Sequence, residues 1–141
     1  MQIQLLSTKA IKIDLQPEEC NEEEFFFNYN THFDDDFKVR TFKVSFHSKI
    51  MHKENFQCEV IYLAEFTTDG DLDEKFRHSG FANVNAPAIG YPFLRAFLAN
   101  LLLNSGLEQS FLPSINFEAL WKEKKQEKLD EIAAIEADKI E

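Results

Sequence analysis

Between Ile3 and Leu15 apolar and polar residues alternate. Ile3, Leu5, Ile11, Ile13 and Leu15 share one register with Ser7 and Lys9, and Gln2, Gln4, Thr8, Lys12 and Asp14 fall in the other. A period of two predicts a half-buried strand. QPEECNEEE, with Pro17 and five glutamates, reads as a solvated connector. FFFNYNTHF then sets Phe25, Phe27, Tyr29 and Phe33 on one face of a second strand, and the aspartates at 34–36 turn the chain. Phe37 and Val39 open a third strand in one phase, whereas Phe42, Val44, Phe46 and Ile50 continue it in the other, so a bulge is predicted near Arg40 and Thr41. In FQCEVIYLAEF, residues Phe56, Cys58, Val60, Tyr62, Ala64 and Phe66 share one face of a fourth strand, and Gln57, Glu59 and Glu65 the other.

The pattern then changes to helices. TTDGDLD supplies turn and cap residues before a short helix predicted over 71–78. Pro87, Gly90 and Pro92 interrupt the next stretch, so the main helix is predicted to open at Pro92 and to close at Gly106. Asn116 can cap a last helix through Phe117, Leu120 and Trp121, continued by a charged tail from about residue 122 that is expected to fray. Four strands followed by helices predict an α+β fold: a four-stranded antiparallel sheet with two main helices on one face. The 141 residues suit one domain, 1–141, able to fold without metal or disulfide.

The helix at 92–106 would be about 22 Å long, too short for a bilayer core of about 30 Å. On a helical wheel Phe93, Leu94, Phe97, Leu98, Leu101 and Leu102 cover about half the circumference, and Ala96, Ala99 and Leu103 take most of the rest. Such a helix must be covered on more than one side. One sheet face covers one side, so an oligomer is predicted, with Phe93, Phe97, Leu98, Leu101 and Leu102 at the interface.

Composition narrows the function. A net charge of -10 argues against nucleic acid, which needs clustered Lys and Arg, and favours basic partners. Fifteen phenylalanines against one tryptophan over-supply a small core, so some aromatic surface is expected to be used. MQIQLLSTKAIKID carries no secretory signal, and two cysteines, Cys20 and Cys58, fit a reducing cytoplasm. Cys58 reads as a core residue and Cys20 as an exposed one. His32 beside Asp34, Asp35 and Asp36 reads as a strand end and turn, not a metal site, and Asp69, Asp71, Asp73 and Glu74 read as turn and cap, because the glycine is misplaced for a calcium loop. His47, His52 and His78 stand singly among polar residues and read as surface histidines. With no nucleophile, phosphate-loop or metalloprotease motif, an enzyme is not expected. Apolar grooves that hold extended peptide are, because apolar contact is non-directional.

Several motifs together resemble one family, the SecB protein-export chaperones. They are QIQ at Gln2–Gln4; Thr8, Lys9 and Ile11; CEV at Cys58–Val60; AP-x-I-x-YP-x-x-R through Ala86, Pro87, Ile89, Tyr91, Pro92 and Arg95; a helix closed by SG; and INFEALW at Ile115–Trp121. The resemblance runs in order over nearly the whole chain. It implies a homotetramer, a dimer of dimers with helices between the dimers, with neither ATPase nor cofactor, holding unfolded preproteins for the SecA translocase motor. The implied client-groove residues are Phe66 at the sheet end, Phe81 in the following loop, Tyr91 before the helix, and Phe117 and Trp121 on the last helix. The family docks the motor on the outer sheet face, at positions occupied here by Ala10, Asp14, Gln57 and Glu59, of which two are acidic. SecB-like chaperones also serve toxin-antitoxin pairs by binding an antitoxin, which is the alternative reading. A second alternative is a carrier of a small apolar ligand.

Overall fold

A computed structural model describes residues 1–110 and 112–140; Glu141, the last residue of the expected domain, lies outside them. The strands are β1 (Ile3–Pro17), β2 (Glu24–Phe33), β3 (Thr41–His52) and β4 (Phe56–Thr68). They form one antiparallel sheet in the order β1-β4-β3-β2. The glutamate-rich connector crosses from β1 to β2 past the β3–β4 turn. It is held there because Glu18 and Cys20 donate their backbone N–H groups to Asn55, whose φ of 61° asparagine tolerates well.

The expected alternation holds in β2 and β4 and is interrupted in β1. Register shifts fall between Leu5 and Ser7 and between Ala10 and Lys12. Each slip turns the side chains over. Ile3 and Leu5 therefore share a face with Thr8 and Ala10, then with Ile13 and Leu15, whereas Ser7 and Lys9 pair with Glu65 and Leu63 on the other face. The first and last residues keep the predicted phase because two slips cancel. The bulge expected near Arg40 and Thr41 is not there: β3 starts at Thr41 and stays in register with both neighbours, and Phe37 and Val39 belong to the β2–β3 turn. That turn is pinned by Leu72 donating its N–H to the Phe37 carbonyl.

After β4 comes α1 (Glu74–Arg77), capped by the Asp73 carboxylate accepting from the Phe76 N–H at 2.9 Å. A π-helical turn (Phe81–Asn85) then runs straight into α2 (Ala86–Asn104), and α3 is Phe117–Ile140. The main helix thus starts well before Pro92, and the residues at 85–91 are helical, not a loop. Pro87 falls at the start of α2 and brings no N–H, and the Asn83 carbonyl four residues before it accepts from the Tyr29 hydroxyl. Pro92 leaves the Ala88 carbonyl without its helical donor, but Ala88 is on the exposed side. Gly90 is a packing contact: a Cβ there would lie 3.0 Å from the Phe46 ring and 3.1 Å from the Ala64 methyl. Only glycine lets the helix approach the sheet this closely. Gly106, at φ 81°, closes α2 as expected, with Leu107 N–H on Leu102 O and Gly106 N–H on Leu103 O.

The longer helix also removes the length argument against a membrane span, since Phe81–Asn104 is long and apolar enough to cross one. Packing supplies a different reason: Tyr91, Leu94, Leu98 and Leu102 are buried in a core with Val44, Phe46, Val60, Tyr62 and Ala64 of the sheet. Predicted surface histidine His52 is likewise buried, at 0% exposure. Its Nε2 lies 2.7 Å from Glu108 O and its Nδ1 accepts from Glu54 N–H, so it ties the segment after α2 to the β3–β4 turn.

Candidate functional site

One edge of the sheet is β2, and its inward rings begin an aromatic cluster. Phe27 lies 5.3 Å from Tyr91 and 5.9 Å from Phe117, and Tyr29 lies 5.2 Å from Phe117, all edge to face. Two hydroxyls fix the surroundings. Tyr29 donates to Asn83 O of the π turn and Tyr91 to Pro113 O before α3, both at 2.7 Å. Burial pushes the Tyr29 phenol up to about 12, so it remains a donor throughout the ordinary pH range.

The last helix docks through Phe117, Leu120, Trp121 and Lys124, spaced i, i+3, i+4, i+7, one face of a helix. Asn116 starts it by accepting the Ala119 N–H at 3.0 Å. From Lys125 to Lys139 every residue is exposed, so the charged tail is a helix that leaves the body. Lys124 donates to Tyr29 O, and its ammonium lies 3.9 Å from the centre of the Tyr29 ring. Burial pushes its pKa down, against the pull of Glu127.

Of the five groove residues expected from the sequence, the structure brings Tyr91 and Phe117 into this cluster, with Trp121 half-buried beside it and Phe81 48% exposed on the adjoining π turn. Phe66 is elsewhere. It is fully buried and stacks on Phe42 at 5.3 Å. The sequence reading missed Phe27, Tyr29 and Lys124 as members of the site. The helical spacing from Phe117 would have indicated Lys124, but which strand faces it depends on sheet order. Asn83 was missed too: its amide donates to Arg77 O and Ser79 O and accepts from Thr31 Oγ1, joining α1, the π turn and β2.

The other expected surfaces divide in a similar way. Asp14 pairs with Glu59, and Gln57 accepts from Gln16 at 3.1 Å, on the sheet face away from the helices. Glu59 is held below the usual carboxylate range by hydrogen bonds from Lys12 and then His47. Ala10 pairs with the buried Tyr62, so it faces the helix layer and does not share that patch. On α2, Leu98 and Leu102 are fully buried against the chain's own sheet, leaving Phe93 exposed and Phe97 and Leu101 half-buried.

Among the described residues no group of three or more His, Cys, Asp or Glu could hold a metal. Asp34 and Asp36 accept backbone N–H groups within their turn, and His32 lies 2.7 Å from Ser45 Oγ. Cys58 is buried, which pushes its thiol up to about 11, with Asp14 adding to the shift, whereas Cys20 is partly exposed. A water-soluble maleimide at pH 8 is expected to place one adduct, on Cys20, per folded chain and a second only after denaturation, read by mass spectrometry. Labelling of Cys58 in the folded chain would show that the sheet core opens readily.

A family model described as preprotein translocase subunit SecB matches residues 9–128. A protein-export protein SecB from Dichelobacter nodosus (strain VCS1703A) is 31% identical over 81 residues, covering 53% of this chain and 50% of that protein. The match thus spans about half the length of that relative. Among solved structures, a SecB-like chaperone of Mycobacterium tuberculosis in complex with a ChAD peptide from an antitoxin superposes with a TM-score of 0.58 at 14% identity, covering 80% of this chain and 87% of that one. A protein of unknown function from Streptococcus agalactiae superposes with a TM-score of 0.55 at 8% identity, covering 82% and 98%. These structural likenesses establish the shared fold.

Proposed function

Since this chain belongs to the SecB family, whose model spans most of its length, we propose that it is an ATP-independent chaperone holding unfolded polypeptides in a groove between the β2 edge, the π turn and α3. SecB-family proteins are chaperones and not enzymes. The observation that carries the reading is the aromatic surface laid over the buried Tyr91 and Phe117 rings, namely half-buried Phe27 and Trp121 and exposed Phe81. Flat rings offer apolar contact without demanding a particular partner side chain, which suits clients that share only being unfolded.

The clients are preproteins for export, in keeping with the export name of the Dichelobacter relative, and Asp14, Gln57 and Glu59 are the proposed SecA patch. The antitoxin role follows instead from the peptide bound by the Mycobacterium chaperone; binding to SecA favours the first role, and a toxin-antitoxin pair beside the gene the second. A carrier of small apolar ligands is less well supported, because the recess beside α3 is lined by lysines and amides as well as rings. The protein acts in the cytoplasm as a homotetramer in which Phe93, Phe97 and Leu101 of α2 meet other chains. Without ATP, it is expected to suppress aggregation of a denatured model substrate at equimolar tetramer, measured by light scattering. Undiminished aggregation would remove the chaperone reading.

A further inference from the structure

The chain carries a net charge of -10, yet one recess reverses that sign. It lies among β2, the π turn and the first turns of α3, encloses about 400 Å³, and is lined by Arg77, Trp121, Lys124, Lys125 and Lys128 together with uncharged residues and His78; none of its lining residues is acidic. Trp121 and the three lysines are spaced i, i+3, i+4, i+7, so a single helix face carries them all. Of the lysines outside the recess, Lys12 pairs with Glu59, Lys53 with Glu108 and Lys122 with Glu118. Among the described residues none of the three recess lysines has a carboxylate within ion-pair distance. Two of them rest on π faces instead, Lys124 on Tyr29 at 3.9 Å and Lys125 on Trp121 at 3.2 Å from the ring centres.

Three like charges on one helix face repel one another, and the chain has 25 carboxylates with which it could have paired them. A π face satisfies an ammonium only partly and leaves its remaining donors for an incoming group. Lys124 is already half-desolvated against β2, so a carboxylate arriving there meets a cation that water screens weakly.

We infer that this recess is a subsite for acidic residues, which receives an Asp or Glu of an extended client while Trp121 covers the adjacent apolar side chain. It rests on the chaperone reading and adds to it a preference that the net charge alone would have reversed. An acidic chain is expected to favour basic clients; this one holds a cationic pocket beside its aromatic surface, so it selects apolar segments bordered by carboxylates.

Trp121 is the only tryptophan, so its emission reports on this recess. Two Trp-free peptides with the same Leu-Phe core, one flanked by aspartates and one by lysines, are titrated against the full-length protein. The aspartate-flanked peptide is expected to bind about tenfold more tightly at low salt, with the difference shrinking as salt screens the pairs. The double variant Lys125→Glu, Lys128→Glu changes two exposed residues and is expected to reverse the preference with an unchanged circular dichroism spectrum. Equal binding of both peptides, or a preference that survives the double variant, overturns the subsite, and the chaperone reading then stands or falls on aggregation suppression alone. If neither peptide binds and aggregation is not suppressed, both are overturned. A short single-stranded oligonucleotide is expected to leave the emission unchanged; quenching by it at peptide-like affinity would assign the lysines to phosphate and overturn the peptide assignment.

Discussion

Replacing Leu98 with aspartate is expected to unfold the chain itself. Leu98 is 0% exposed, packed in the core beneath the sheet. The substitution removes a buried leucine, worth about 2–5 kcal/mol, and places a carboxylate where none of the surrounding core residues can pair it. The combined cost reaches most of the roughly 5–15 kcal/mol that holds a domain together. Far-UV circular dichroism and chemical denaturation should show loss of the cooperative transition. Phe93→Asp, on the same helix but 47% exposed, is the contrasting variant: it should keep the native spectrum and, by light scattering, shift the assembly towards smaller species. A normal melt for Leu98→Asp would mean that the wrong face of α2 has been assigned to the core.

The second large effect is expected from Phe117→Ala. This ring is the buried anchor of α3 and touches Phe27, Tyr29 and Tyr91. Truncating a buried phenylalanine typically costs about 3–5 kcal/mol. Here the loss falls on one attachment, because among the described residues the buried and half-buried side chains of α3 all lie between Phe117 and Lys124. We expect hydrogen exchange to show α3 losing protection while β3 and β4 keep theirs. Aggregation suppression should fall with it, since the groove loses one wall. Retained protection in α3 together with full holding activity would remove Phe117 from the site.

Both variants depend on contacts between distant residues, which local patterns do not spell out. The alternation of β2 and β4, the α+β class, the Asn116 and Gly106 caps and the all-round apolar character of α2 are legible in the sequence, because each depends on residues a few positions apart. The candidate site is legible in part. Tyr91 and Phe117 meet in one buried cluster and Trp121 lines the recess beside Tyr29, whereas Phe66 packs elsewhere in the core and Ala10 leaves its expected patch after the first bulge in β1. The prolines and Gly90 resemble helix breakers in the sequence, and the helix runs through them. Their meaning depends on what lies opposite, namely, for Gly90, Phe46 and Ala64 at contact distance.

By itself, then, the sequence determined the periods: which segments are strands, which are helices, and where several of them stop. Period follows from local backbone geometry and survives wherever the segment is placed. Tertiary structure decided phase and company. It turned β1 over twice, aimed Leu98 and Leu102 at the sheet, and set the lysines of α3 against the edge of β2. Those outcomes rest on contacts between residues far apart in the chain, and a single slip in register or one close approach at a glycine is enough to change which side chains meet.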